Sequence, residues 1–394
     1  MVKVLMFGWE FPPMNTGGLG TACYGLTNAL ARNGVEITFV LPYAEASSEV
    51  PFMRLIPLRG ITFHPINSLL GPYLTTQSYL RRYQKLGMPL MYGESLFIEV
   101  ARYAEAAAKI AAIEQFDIIH CHDWMTFGAG MEAKRVSGKP LIIHVHATEF
   151  DRTASDHVNQ AIYDAERRGM HEADHIIAVS EYTRKRIIER YGIPPEKVTA
   201  VHNAVEFTSV PATYTIARDD KIVLFLGRIT VQKGPDYFIY AAKKVLDYDP
   251  HVKFIIAGTG DMEQFIIEKA AEMGIADRVL FAGFLRGGQI DEAYRLADVF
   301  VMPSVSEPFG ITPLEAMRNG TPVIISKTSG VSEVLHHALK VDFWDVDDIA
   351  NKIIGILHYR TLHHELKEHG SMEVRSFTWD VPAGKCIGIY RRFI

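Results

Sequence analysis

The feature that most constrains this chain is a repeating unit: a short apolar run, a break at Gly, Asp or Pro, then a longer stretch of helical period. The first half offers Val2–Phe7, Ile37–Leu41, Ile118–Cys121, Leu141–Val145, Ile176–Val179 and Val198–Val201. The second offers Ile222–Phe225, Phe254–Ala257, Val279–Phe281, Val299–Met302 and Val323–Ile325. Runs this short and this apolar fit strands buried on both faces, which means parallel strands covered by helices. Helical stretches such as Gly20–Arg32, Pro235–Leu246 and Met262–Met273 alternate with them and make βαβ units. At 394 residues the chain exceeds what one core usually supports. Two series, one per half, therefore predict an α/β chain of two doubly wound domains.

Residues 205–220 lack any sustained period and precede a fresh strand, which divides residues 1–205 from 206–378. The stretch Pro65–Tyr92, rich in Gly, Pro, Leu and Tyr, breaks the alternation. It reads equally as an insertion forming an acceptor surface and as a packed irregular excursion. Lys+Arg 41 against Asp+Glu 46 leaves a net charge of −5, which argues against a bulk nucleic-acid binder. Cys23, Cys121 and Cys386 are dispersed and form no CxxC pair, so neither a disulfide framework nor a structural zinc site is expected, and a reducing cytoplasmic compartment fits. The N-terminus reads as a first buried strand rather than a signal peptide, and no apolar run approaches the ~20 residues that span a bilayer.

In open α/β sheets ligands lie beyond the carboxyl ends of the strands, so the loops there carry the chemistry. The first runs from Phe7 through Gly17, Gly18 and Gly20 into a helix whose N-terminus favours an anion. The same glycines serve as a tight strand-to-helix connection. A second loop places Arg228 and Lys233 ahead of a helix, where their sign opposes the helix dipole. An anionic ligand such as a diphosphate resolves that conflict, and exposure to water also accommodates it. A third loop sets Glu307 ahead of Phe309, Gly310, Ile311 and Thr312, with Glu315 in the next helix. Carboxylates suit sugar and ribose hydroxyls, and glutamates near a helix start are stabilised by the dipole alone. His120, His122, His144 and His146 follow or end two strands. Strand spacing puts each pair on one face but fixes no third ligand, so no metal is expected, and a histidine bonding a sugar hydroxyl is the better reading.

With these residues in view, the chain resembles the retaining GT-B glycosyltransferases of family four (group 1) and the neighbouring glycogen and starch synthases. Glu307-Pro-Phe-Gly-Ile-Thr-Pro-Leu-Glu315 matches the family's two glutamates separated by seven residues, and Gly227-Arg228 with Lys233-Gly234 matches its phosphate-binding pair. The resemblance implies two Rossmann-like domains with the interdomain cleft as active site, and a last helix, 379–394, returning to the first domain. It implies catalytic roles for His146, Glu307, Arg228 and Lys233. Glu307 would bind the donor sugar, Glu315 the ribose, and Phe309–Thr312 and Gly17–Gly18 would surround the diphosphate and sugar. Phe284 and Leu285 would read the base through backbone atoms.

His122-Asp123-Trp124 and Gly17-Gly18-Leu19-Gly20 are similar to motifs of the glucan and sucrose-forming synthases. They imply a hexosyltransferase taking glucose from UDP-glucose or ADP-glucose to a glucan or other glycoside. Two departures stand out. Met14-Asn15-Thr16 replaces the synthase loop's Lys, and Asn203-Ala-Val-Glu206 replaces Asn-Gly-Val-Asp at the junction. With two cations on the leaving group, neither a cofactor nor a metal ion is expected. The rivals are a nucleotide-sugar epimerase of the same fold, a transferase using another sugar or a lipid-linked acceptor, and a degenerate sugar-binding protein.

Overall fold

The computed structural model describes residues 1–12, 17–42, 51–57, 95–207 and 220–394. The Pro65–Tyr92 excursion, residues 13–16 and most of the 205–220 junction lie outside them. The described chain forms two compact units, Met1–Ala204 with Trp379–Ile394, and Val205–Thr378.

The first unit holds a seven-stranded parallel sheet in the order β3-β2-β1-β4-β5-β6-β7. Its strands are β1 (Lys3–Phe7), β2 (Glu36–Leu41), β3 (Arg54–Pro57), β4 (Ile118–His122), β5 (Leu141–Val145), β6 (His175–Ala178) and β7 (Val198–Ala200). The second unit holds a six-stranded parallel sheet in the order β10-β9-β8-β11-β12-β13. These are β8 (Lys221–Leu226), β9 (Val252–Ala257), β10 (Val279–Gly283), β11 (Val299–Met302), β12 (Val323–Ser326) and β13 (Leu339–Val341). Every apolar run read from the sequence is a strand. β3 and β13 gave no such signal because β3 offers only Leu55-Ile56 between Arg54 and Pro57, and Lys340 interrupts β13; the other two edge strands, β7 and β10, did give apolar runs.

Each sheet carries its own core. Leu5, Phe7, Ile119, Ile143 and Ile176 anchor the first, and Val223, Phe225, Phe254, Ile256 and Val301 the second. Both sheets reverse their order in the middle, between β1 and β4 and between β8 and β11. At such a switch the connections leave to opposite sides, and the loops beyond the carboxyl ends open a crevice. The helix Asp380–Tyr390 belongs to the first unit, packed against the helix Gly18–Arg32.

Tyr103, on the helix Ser95–Ile113, fastens the crevice end of the first sheet. Its buried hydroxyl donates to the carbonyls of Gly8 (3.0 Å) and Val40 (2.9 Å), at the ends of β1 and β2. Tyr103→Phe removes the donor and leaves the Gly8 carbonyl buried without it. It is expected to lower unfolding free energy by about 1–3 kcal/mol in chemical denaturation. An unchanged denaturation midpoint would contradict this role.

Candidate functional site

In the second unit, the loops after β8 and β11 lie side by side across the switch point. The amides of Val305 and Ser306 donate to the carbonyl of Gln232 at 2.9 and 3.4 Å. Gly234 permits this approach. Its φ is +64°, and a Cβ there would lie 2.2 Å from the Pro303 carbonyl oxygen. The contact brings Lys233 Nζ to 2.5 Å from Glu307 Oε2, which also accepts from Ser304 Oγ at 3.2 Å. Arg228 Nη2 donates to Gln232 Oε1 at 2.7 Å. Glu307 is itself clamped through its backbone, its N–H donating to Thr328 O (3.0 Å) and its carbonyl accepting from Gly330 N (2.9 Å). Thus the two cations ahead of the helix Pro235–Tyr248 have protein partners, and Lys233's is the very glutamate assigned to the sugar.

Glu315 stands in the first turn of the helix Thr312–Arg318. Tyr294 donates to its Oε2 at 3.1 Å. Burial raises its pKa, partly offset by Arg318, which in turn pairs with Asp291 and the Glu206 carbonyl. Phe309 is buried, and its carbonyl accepts from Val331 N at 2.7 Å. Arg228, Lys233, Glu307, Phe309, Gly310, Ile311, Thr312 and Glu315 therefore share the β8–β11 crevice. Phe284 and Leu285 follow β10, two strands aside, where Phe284 is 51% exposed beneath the Arg286 guanidinium. Ser304, Tyr294 and Arg318 had no sequence signal, since only the tertiary fold makes them neighbours of the two glutamates.

In the first unit, Gly17 precedes the helix Gly18–Arg32, and a Cβ on it would meet Glu10 Oε2 at 2.8 Å; Gly18 is exposed. Under the strand ends lies a stack of four imidazoles. His120 lies within β4 and His122 ends it, His144 sits opposite His122 in β5, and His146 follows β5. Centroids lie 4.6 Å apart for His120 and His122 and 4.4 Å for His144 and His146. His122 Nδ1 is 2.9 Å from His146 Nε2, and His120 Nδ1 is 2.5 Å from the Tyr390 hydroxyl. Exposure is 0%, 0%, 2% and 7% from His120 to His146, so His146 alone reaches the edge of the stack. Burial lowers every pKa in the stack, to about 3 for His120 and His146, and the rings are neutral.

Ligand atoms of Cys23, His122 and His146, and of His120, His122 and His144, lie within 4.8 Å of one another. In the first trio the His122 and His146 rings are tilted 37° apart, and in the second the His120 and His122 rings lie 20° from parallel.

Asp123 caps this region. It adopts φ 61°, rare for a non-glycine residue, and its Oδ1 accepts from the amides of His146 (2.7 Å) and Ala147 (3.3 Å). Burial pushes its pKa up to about 6 against the pull of Arg152 and these amides.

Two family models cover most of the chain. Glycosyltransferase Family 4 matches residues 16–208, and Glycosyl transferases group 1 matches residues 207–372. An uncharacterised glycosyltransferase of Methanocaldococcus jannaschii is 28% identical, covering 99% of this chain and 98% of its own. A D-inositol 3-phosphate glycosyltransferase of Acidothermus cellulolyticus is 27% identical (96% and 86%), and a glycogen synthase of Mycobacterium tuberculosis 25% (85% and 80%). The structure of sucrose-phosphate synthase from Thermosynechococcus elongatus superposes with a TM-score of 0.78 at 20% identity, covering 100% of this chain and 99% of that one. Such solved neighbours identify the fold as GT-B. Among the described residues no helix is long and apolar enough to cross a membrane.

The histidine stack sets an acid limit. Each of its four members binds a proton when unfolded below its usual pKa of 6.5 but none when folded until far lower pH. Asp123 and Glu166, raised to about 6 and 7, act oppositely, holding protons in the fold that the unfolded chain releases. For these six groups the balance between pH 6 and 5 is about two protons taken up on unfolding. Stability should therefore fall by about 3 kcal/mol per pH unit there. Denaturation at a series of pH values reads this slope, and stability independent of pH over that range would contradict the neutral stack.

Proposed function

Because the chain belongs to the group 1, family 4 glycosyltransferases, we propose that it transfers glucose from UDP-glucose or ADP-glucose to a glucan or other glycoside, with retention at the anomeric carbon. The observation that carries this reading is the convergence of Arg228, Lys233 and Glu307 at the carboxyl ends of β8 and β11. In this reading the donor diphosphate takes Lys233 from Glu307. One exchange then supplies a cation to the leaving group and releases a carboxylate to the sugar hydroxyls. Arg228 contributes a planar fork to the same phosphates. Charge grows on the departing diphosphate as the glycosidic bond breaks, and cations fixed there beforehand stabilise that state more than the ground state.

Glu315, held by Tyr294, accepts the ribose hydroxyls, and the backbone of Phe284 and Leu285 faces the base. The backbone of Gly310–Thr312 and the loop of Gly17 and Gly18 lie against the phosphates and sugar. His146, neutral and at the edge of the stack, bonds a donor-sugar hydroxyl without adding charge to an oxocarbenium-like centre. With two cations on the leaving group, the reaction proceeds without a metal ion. The three cysteines are buried and free, which suits a reaction in the reducing cytoplasm.

Glucose as the donor sugar is supported by the His122-Asp123-Trp124 and Gly17-Gly18-Leu19-Gly20 motifs and by the similarity to a glycogen synthase. Similarity to a D-inositol 3-phosphate glycosyltransferase favours a second acceptor reading, a small phosphorylated alcohol.

A panel of nucleotide sugars, with donor hydrolysis and transfer as readouts, tests the assignment. UDP- or ADP-glucose should be turned over fastest, activity should survive EDTA, and the product should be α-linked. Arg228→Ala and Lys233→Ala should each lower kcat/KM by at least ~100-fold, about 2.7 kcal/mol. Near-normal rates in both variants, or activity lost to EDTA and restored by Mg²⁺, would contradict this chemistry.

A further inference from the structure

Four consecutive amides, from His146 to Glu149, each donate to a buried carboxylate. His146 N and Ala147 N bond Asp123 Oδ1 (2.7 and 3.3 Å), Thr148 N bonds Asp151 Oδ2 (2.8 Å), and Glu149 N bonds Glu166 Oε2 (3.1 Å). A run of amides at a strand end is ordinarily a place for a ligand's phosphate. Here the protein's own carboxylates occupy it.

The carboxylates are fastened in turn. Arg152 is buried and donates to Glu149 Oε2 (2.9 Å), to the Ala147 carbonyl (3.2 Å) and to Glu166 Oε1. Tyr191, from the helix Glu181–Tyr191, donates its hydroxyl to Glu166 Oε2, and Arg186 pairs with Asp151. Glu166 itself comes from the helix Gln160–Glu172. Three elements thus converge on the backbone of four residues, the first of which is His146.

Such a dry network is a weak source of stability, because well-packed apolar side chains generally do as well. What it provides is definition: the donor and acceptor geometry admits one path for residues 146–149. The side chain it places has a demanding setting, one nitrogen against His122 and the ring at the edge of the stack.

We propose that Arg152, Glu166 and Tyr191 are positioning residues that set the ring of His146 for the donor sugar. The proposal rests on the assignment of His146 as a sugar contact. The three side chains act through the backbone of residues 146–149. Losing one leaves nucleotide binding intact and displaces the imidazole, and small displacements of a reacting geometry are costly in rate.

Two variants test this, Glu166→Gln and the milder Tyr191→Phe, which deletes one hydroxyl and keeps the ring. The first readout is the His146 ring resonance in the ligand-free protein, assigned by its disappearance in His146→Asn. The second is steady-state transfer beside calorimetry with UDP and ADP. In both variants the resonance should move and kcat should fall on the order of 10-fold. Nucleoside-diphosphate affinity should stay within about twofold of wild type. A lower melting temperature with the wild-type resonance and kcat would overturn the proposal and reduce the network to a structural one. The resonance is read without substrate, so an error in the donor or acceptor assignment leaves that arm decisive.

Discussion

A parallel strand covered by helices on both faces can present polar chemistry to a ligand only where it ends. Both sheets here obey that constraint, and the candidate functional groups are distributed accordingly. Gly17 and Asp123 follow β1 and β4, while Arg228, Lys233 and Glu307 follow β8 and β11. In each sheet these are the two strands between which the order reverses, so residues distant in sequence become neighbours without any long-range motif. Lys233 and Glu307, 74 positions apart, meet at 2.5 Å for this reason.

The exception is the histidine stack. His120, His122 and His144 lie within strands, at positions the apolar pattern would give to Val or Ile. They are tolerated because burial keeps them uncharged, and because hydrogen bonds to Tyr390 and between His122 and His146 satisfy part of their polarity. The two units handle polar loops differently. In the first, the amides after β5 are filled internally by buried carboxylates, which gives a fixed scaffold. In the second, Lys233 and Arg228 remain partly exposed, paired with Glu307 and Gln232.

Much of this was legible in the sequence, for physical reasons that differ by element. Two-sided burial leaves an uninterrupted apolar run, so β1, β5 and β11 could be read directly. Arg54–Pro57 and Leu339–Val341 leave none, because Arg54 and Pro57 flank only two apolar residues and Lys340 interrupts the second. Arg228 and Lys233 stood out because their sign is wrong for a helix start. Partner choice was not legible. The sequence shows neither that Lys233 would rest on Glu307, nor that Tyr294 and Arg318 would gather about Glu315, nor that four successive amides would meet carboxylates from three separate elements. Each depends on which strand ends and helices lie side by side, which spacing along the chain does not encode.

The central claim is that Glu315 holds the unreacting part of a nucleotide donor while Glu307 serves the transferred sugar and, before the donor arrives, occupies Lys233. Calorimetry with UDP and ADP on Glu307→Ala and Glu315→Ala tests it most directly. The account predicts that Glu315→Ala weakens diphosphate binding by about 1.5–3 kcal/mol, as expected for charged hydrogen bonds. Glu307→Ala, which releases Lys233, should keep that affinity or improve it. Affinity lost in Glu307→Ala and kept in Glu315→Ala would contradict the account.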